Sequence, residues 1–560
     1  MQKTSVGLLF VVLLLATLFI GAASGSGRVL AQAETSGLPE GTFVARVYYE
    51  ELADIERLAA YDLWEVNNLE AQYVLVSMDR RIYAELAGAG WRMEVDAEAT
   101  AMLSPQTLDA ATLAGYRSVD QLYADLAAIS GAYPGLTNLI DYGDSFCKLN
   151  GGCVTPGGDA LPGHDLLAMR VTNKSIPGPK PVFFLMANIH AREITTPELA
   201  MRFLDWLVQG YGVDADATWI VDYNEIWVVP TANPDGHWLV ELGARPPYNG
   251  SYFQQRKSAN QTNGCSVWPP LSFLQYGVDL NRNHSFMWNT GGSSGAACDQ
   301  TYRGPSPASE PEVERLQNLI SLRVPDQRGP NPGDAAPPNT AGLLITMHSY
   351  SNLVLWPWGN TGSAAPNYAG LKAIGDKLAT YNGYTSCQSA VCLYTASGTT
   401  DDWAYGELGI PAYTFEIGTQ FMPPYSEVDA VQWPDNGPAL IYAAKIAQRP
   451  YRLVAGPDVD NVTATDNGDG TYTLTATIDD SGNGGQAIWR AAYFVDKPYW
   501  DGGSLVLMSA SDGGFDSATE AVTATIDVSG WASGQHIVFV NGQDVQNNVG
   551  PATAVFITVP

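Results

Sequence analysis

Val182-Phe-Phe-Leu-Met-Ala-Asn188-Ile-His190-Ala-Arg192-Glu193, continuing as Ile194-Thr-Thr196-Pro197-Glu-Leu199, carries the strongest structural signal in the chain. Its first eight residues are almost wholly apolar, too short and too abruptly ended for a lone helix, and read as a buried parallel strand that stops at His190. Thr196 then fits a helix N-cap with Pro197 at the first helical position, opening a helix that runs to about Gln209, before Gly210. The pattern predicts a strand-to-helix turn where an imidazole, His190, and a carboxylate, Glu193, can converge on one ion. By itself the pair is weak. Six histidines at ordinary glutamate frequency produce an H-x-x-E by chance in about one chain of this kind in three or four.

The surrounding chain sets the context. Its 560 residues are 46% apolar, enough for about three or four domains with real cores. Lys and Arg total 29 against 58 Asp and Glu, and the net charge of −29 argues against a nucleic-acid partner. Residues 6–23 are almost continuously apolar behind Lys3, and Ala31-Gln32-Ala33 supplies an A-x-A cleavage site. Residues 1–33 therefore read as a secretory signal rather than an uncleaved anchor, so a secreted, extracellular chain without membrane contact after cleavage is expected. Cys147, Cys153, Cys265, Cys298, Cys387 and Cys392 form an even set with no C-x-x-C, which favours disulfides over a thiolate metal site. Neighbour pairing, 147 with 153, 265 with 298 and 387 with 392, is the simplest connectivity.

Three folded regions follow the signal. Residues 34–110 mix strand-like pieces (43–48, 72–77, 91–95) with helix-like ones (52–60, 79–87), a small α+β module. Residues 111–452 alternate helices (118–133, 196–209, 309–322, 368–381) with strands (166–171, 182–189, 225–230, 343–347, 412–415), as in an α/β domain. The Pro- and Gly-rich run 325–340 reads as a loop within it. Residues 456–560 switch to a period of two, with strands such as 471–478, 522–526, 536–540 and 554–559, and argue a β-sandwich. In that region Asp466-Asn-Gly-Asp469-Gly470 lacks the distal Glu of a calcium loop and reads as a hairpin turn.

A catalytic zinc needs three protein ligands and an open fourth position. With His190 and Glu193 close together, the third ligand should come from another strand end, and His348, directly after the apolar run 343–347, supplies it. His164, His237, His284 and His536 lack that context. A carboxylate must also move the proton of the activated water, and Glu416, at the end of the run 412–415, is the candidate general base.

These blocks occur in order with Asn233-Pro-Asp-Gly236, Arg256-Lys257, Asp279-Leu-Asn281-Arg282-Asn283, His348-Ser-Tyr350, Tyr394-Thr-Ala-Ser-Gly398, Asp401-Asp-Trp403 and Thr414-Phe-Glu416. Residues 116–452 resemble the zinc metallocarboxypeptidases of the carboxypeptidase A and B type, more closely their secreted bacterial relatives. The resemblance implies a mixed parallel and antiparallel sheet with helices on both faces and Zn2+ at the carboxyl ends of its strands. It implies zinc held by His190, Glu193 and His348, Glu416 as proton carrier, and Arg256 as the group that polarises the scissile carbonyl. Asn281 and Arg282 would grip a terminal carboxylate, Tyr394 would close over the substrate, Arg192 would line the approach, and Asp279 would orient His190. Asp401 stands where the B type carries Asp and the A type an apolar residue, which implies a taste for C-terminal Lys and Arg, here with tolerance of apolar residues. Cys265 and Cys298 resemble a family disulfide, whereas Cys147 and Cys153 lie in an insertion.

The expected activity is removal of the last residue of peptides and proteins by a monomer, with residues 34–110 serving either as an inhibitory pro-segment or as a folding aid. Two alternatives stand beside it: a zinc hydrolase of the same ligand pattern acting on acylated amino acids or cell-wall peptides, and a non-catalytic binding protein on this scaffold.

Overall fold

An eight-stranded mixed sheet forms the centre of the computed structural model, which describes residues 37–104, 114–248 and 250–560. The expected signal at 1–33 lies outside the described residues, and among those described no helix is long and apolar enough to cross a membrane. Ahead of the central sheet, β1 (Phe43–Tyr48), β2 (Asp62–Asn68), β3 (Tyr73–Met78) and β4 (Arg92–Asp96) form a four-stranded sheet in the order β2-β3-β1-β4. It carries helix α1 (Arg80–Gly88), whose N-cap Asp79 accepts from the Ile82 amide at 2.8 Å.

The central strands are β5 (Thr137–Asp144), β6 (Asp165–Val171), β7 (Val182–Ala187), β8 (Glu225–Val229), β9 (Leu343–His348), β10 (Leu353–Trp356), β11 (Thr385–Gln388) and β12 (Ala412–Glu416), ordered β11-β10-β12-β9-β7-β8-β6-β5. The pairs β8–β7, β7–β9, β9–β12 and β10–β11 are parallel and the other three antiparallel. Side chains of β7 alternate between two cores: Phe183, Leu185 and Ala187 on one face, Val182, Phe184 and Met186 on the other. None is more than 6% exposed, so its five larger side chains contribute about 10 kcal/mol of burial, an upper estimate.

Helices cover both faces. Residues of α2 (Val119–Ala132), α3 (Thr195–Gly210), α4 (Ala215–Tyr223), α7 (Tyr368–Asn382) and α9 (Trp433–Ile446) fill the first core. Those of α6 (Pro311–Arg323) and α8 (Thr400–Leu408) fill the second, while α5 (Pro234–Leu242) opens at the capping side chain of Asn233, which accepts from Gly236 N at 3.0 Å. The expected mixed sheet with helices on both faces is what the chain adopts.

Two details of the 182–199 stretch differ from the reading. The strand ends at Ala187, because Asn188 takes a left-handed φ of +56°, which breaks the pleat and which Asn tolerates better than most residues. Thr196 is not the N-cap. The helix starts at Thr195 after Ile194, without a side-chain capping bond. The Thr196 hydroxyl instead donates to Glu193 O at 2.9 Å and accepts from Asn188 N at 3.0 Å, so it braces the turn itself.

Cysteines pair as neighbours, Cys147–Cys153, Cys265–Cys298 and Cys387–Cys392. Beyond residue 456 two four-stranded antiparallel sheets make a sandwich, and Asp466 to Gly470 form the hairpin turn between its first two strands. The sandwich packs on the central domain: Trp500 lies 5.7 Å from Trp219 and 6.0 Å from Tyr223 by ring centroids, Lys377 reaches Asp458, Lys445 donates to Thr553 Oγ1 at 3.0 Å, and Asp216 accepts from Ala554 N at 2.9 Å. A cleft of about 540 Å³ separates the two near the start of β7 at Val182, and among the described residues no cluster of metal-ligating side chains gathers there.

Candidate active site

Strand register brings the distant residues together. β9 and β12 run parallel with His348 and Glu416 as direct partners, and β9 meets β7 with Met347 opposite Ala187, so the 188–193 turn arrives beside both. Asn188 holds that turn: its amide nitrogen donates to the carbonyls of His190, Ala191 and Glu193 at 3.2, 3.2 and 3.4 Å, and its oxygen accepts from the Thr231 hydroxyl at 3.0 Å. Asn233 adds a bond to Ile189 O at 3.1 Å.

His190 Nδ1 lies 2.8 Å from Glu193 Oε1, and His348 Nδ1 lies 3.1 Å from His190 Nδ1 and 3.2 Å from Glu193 Oε2. Ligand atoms on a tetrahedral ion at bonds of about 2.0–2.1 Å stand about 3.3 Å apart, so this triangle has nearly the size of a zinc coordination face. All three residues are buried, and Glu193 Oε2 has no hydrogen-bond donor. Burial and the Arg256 charge lower both imidazoles, His348 to about 4, which keeps them neutral and able to ligate. Burial raises the Glu193 carboxyl, a penalty that a cation on its oxygens offsets. The donor set fits Zn2+.

Behind His190, its Nε2 faces Asp279 Oδ1 at 3.2 Å, and Asp279 Oδ2 accepts from Arg256 Nε at 3.2 Å. Burial alone would raise the Asp279 carboxyl, but Arg256, Arg282 and His190 hold it well below the usual carboxylate range. Asp279 thus orients an imidazole and a guanidinium at once.

Arg256, Asn281, Arg282, Tyr394, Asp401 and Glu416 line one cavity with His190 and His348. Burial, then the neighbouring Glu65 and Glu193 carboxylates, push Glu416 well above the usual range. Asp401 is 3% exposed, with Oδ2 accepting from the Ser389 hydroxyl at 3.3 Å. Its neighbour Asp402 is committed elsewhere, accepting from the amides of Gly359 and Asn360, both at 2.8 Å. Arg192 stands apart from the cavity wall, fully buried with its guanidinium 4.0 Å over the Phe421 ring.

The sequence profile of the family described as zinc carboxypeptidase matches residues 152–432, 281 of 560, and every residue of the metal triangle and cavity wall named so far falls inside it. The chain belongs to the zinc carboxypeptidase family. Carboxypeptidase A2 of Rattus norvegicus is 26% identical over 309 residues, 54% of this chain and 62% of that protein. Carboxypeptidase B of Homo sapiens is 28% identical over 261 residues, 45% of this chain and 55% of that one. The chain therefore spans less than two thirds of either relative. The crystal structure of a carboxypeptidase A from Helicoverpa armigera aligns with a TM-score of 0.57 at 21% identity, covering 72% of this chain and 98% of that one, a likeness of fold.

In this chain the cavity is roofed by a strand outside the matched region. Glu65 of β2 accepts from Arg256 Nη1 at 2.8 Å, and Asp62 accepts from Arg192 Nη2 at 3.1 Å, all four side chains being buried. Asn67 donates to Leu393 O at 2.6 Å beside Tyr394, and Trp64 stands edge-on to Tyr350 and Phe421. Leu393, Tyr394 and Ala396 share the core of the N-terminal module. The cavity beneath this roof is about 50 Å³, far below the roughly 300 Å³ at the small end of ligand sites. Sequence reading missed β2, Asp62 and Glu65. Asp62-Leu-Trp-Glu-Val-Asn-Asn68 carries buried charges where a strand normally carries apolar residues, and the only hint was Leu63, Trp64 and Val66 amid polar neighbours.

Proposed function

We propose that this chain is a secreted zinc-dependent metallocarboxypeptidase that hydrolyses the C-terminal peptide bond of peptides and proteins, preferring C-terminal Lys and Arg while tolerating apolar residues. One observation carries the reading: the Glu416 and Asp401 carboxylates, two guanidinium groups, an amide and a phenol line a single cavity whose wall includes two corners of a zinc-sized triangle. Zinc at that triangle supplies Lewis-acid activation of water near neutral pH. Glu416, raised by burial, accepts the water's proton readily and delivers it to the leaving amine. Arg256, held by Asp279, offers its Nη1 donor to the oxyanion that develops on the scissile carbonyl.

The free chain end is bound by Asn281 and Arg282. Arg282 Nε and Nη1 are already tied to Gly292 O at 3.2 Å and Asn281 O at 2.7 Å, which fixes the guanidinium plane and leaves Nη2 for the carboxylate. Tyr394 contributes its hydroxyl, and Asp401 meets a Lys or Arg head group with opposite charge. Export is supported by the apolar run at 6–23 with its A-x-A site and by three disulfides.

The N-terminal module, on this reading, is an inhibitory pro-segment. Glu65 occupies the Arg256 donor that the substrate carbonyl needs, and β2 covers the loop carrying Tyr394. The test is to cut the chain between residues 104 and 114, separate the module, and incubate the remainder with peptides that differ only in their last residue, with zinc or a chelator. Zinc-dependent release of single C-terminal residues, fastest for Lys and Arg and absent for amidated ends, is the expected result. Internal cleavage, or equal activity on amidated ends, would sink it.

A further inference from the structure

His284 is buried, aromatic on one side, and unused by the chemistry above: its ring lies 5.8 Å from Trp403. Its proton position can be worked out from its neighbours. The Gln317 amide, placed so that its bonding is satisfied, presents its oxygen to Ser285 N at 3.0 Å and Trp403 Nε1 at 3.3 Å, both obligate donors, and to His284 Nδ1 at 3.1 Å. An oxygen facing Nδ1 requires the proton to sit there. Burial pushes His284 down to about 3, so the ring is neutral and Nε2 is an acceptor.

Nε2 lies 2.9 Å from the Thr400 hydroxyl, whose single proton is shared between that nitrogen and Asn281 Oδ1 at 3.1 Å. The amide of the same Thr400 donates to Asn281 Oδ1 at 2.9 Å. With Oδ1 taken, Asn281 has its Nδ2 donors left for the substrate carboxylate, the orientation that the grip needs. Thr400 is also the first residue of α8, and Asp401 follows it directly. One imidazole therefore ties the amide that holds the chain end to the carboxylate that selects the side chain.

We infer that His284 is a positioning residue: through Thr400 it sets the orientation of Asn281 and the placement of Asp401, and so tunes affinity for the free C-terminus. The inference rests on the carboxypeptidase reading. It does not involve proton transfer to substrate, so its loss weakens uniform binding and leaves the chemical step alone.

The experiment uses the full chain, activated by cleavage between residues 104 and 114. His284→Phe keeps the ring volume without either nitrogen, whereas His284→Gln can return an acceptor to Thr400. Thr400→Val removes the hydroxyl and keeps the amide. The expected result is a KM raised about three- to tenfold in His284→Phe and in Thr400→Val, with kcat changed less than about twofold and partial rescue in His284→Gln. The double variant should be no worse than either single one, because both break the same link. Additive effects, unchanged KM in Thr400→Val, or a harmless His284→Phe beside a damaging His284→Gln would overturn the inference. Should His284→Phe fail to fold, Thr400→Val and Thr400→Ser decide it alone, the serine retaining wild-type KM. An activated wild-type chain that releases no C-terminal residue would instead defeat the carboxypeptidase reading, which keeps the two failures apart.

Discussion

Glu65→Gln should loosen the N-terminal module without altering the catalytic surface beneath it. Glu65 Oε1 accepts from Arg256 Nη1 at 2.8 Å, and the two side chains are 4% and 3% exposed, so the bond is charge-assisted and shielded from water. Such bonds contribute about 1.5–3 kcal/mol. Glutamine keeps the shape and an acceptor oxygen but removes the charge, and it also removes the repulsion that Glu65 exerts on Glu416. That relief favours the docked form and offsets part of the effect, whereas loss of the charge-assisted bond to Arg256 favours the uncovered site and is the larger change. The population of undocked chains should rise about tenfold, the lower end of that range. The assay is release of C-terminal Lys from a short peptide by uncut chain, uncut Glu65→Gln, and each after the module has been cut away. Uncut wild type should be nearly silent, uncut Glu65→Gln about tenfold faster, and the two cut forms identical. Uncut wild type as active as its cut form would refute latency; cut forms that differ would show Glu65 acting in the reaction rather than in the roof.

Three further outcomes follow from the same geometry. Asp401→Ala should depress release of Lys and Arg at least about thirtyfold, the loss of a buried opposite charge, while Leu and Phe change little; equal loss for all would remove Asp401 from the selectivity pocket. Zinc should raise the unfolding midpoint of the metal-depleted chain in a concentration-dependent way, by up to about 4 kcal/mol at a thousandfold excess over Kd, and His348→Ala should abolish that shift; a shift that survives would place the metal elsewhere. Burial pushes Glu241 up to about 7 even though it accepts from Val119 N at 2.7 Å. The folded chain therefore keeps a proton that the unfolded chain has lost between about pH 4.5 and 7, and stability falls as pH rises through that window, by roughly 3 kcal/mol in total. Glu241→Gln should flatten the dependence of the urea midpoint on pH between 5 and 7, and an unchanged slope would show that Glu241 is not responsible.

Legibility followed the distance over which each feature is encoded. β7, β9 and β12 were readable because each is an apolar run that stops at a polar, metal-capable or proton-carrying residue, a local pattern with a local cause. Short strands such as β10 and β11, four residues each, offer too little alternation to be recognised. Thr196 misled because Thr-Pro is a good helix opening in isolation, while its hydroxyl is claimed by a turn that only the left-handed Asn188 creates. β2 was missed because its charges are satisfied 130 and 191 residues away, at Arg192 and Arg256.

Ligand types, the strand ends that bear them and the turn between His190 and Glu193 are thus properties of the sequence alone, since apolar periodicity and chain-breaking residues act over a few positions. Which strand lies beside which was decided only in three dimensions: parallel pairing set His348 opposite Glu416 and next to the 188–193 turn, and packing seated Glu65 on Arg256. Contacts of that kind join residues far apart in the chain, where the free energy comes from shared burial and complementary charge, and no short stretch of sequence carries a trace of its partner.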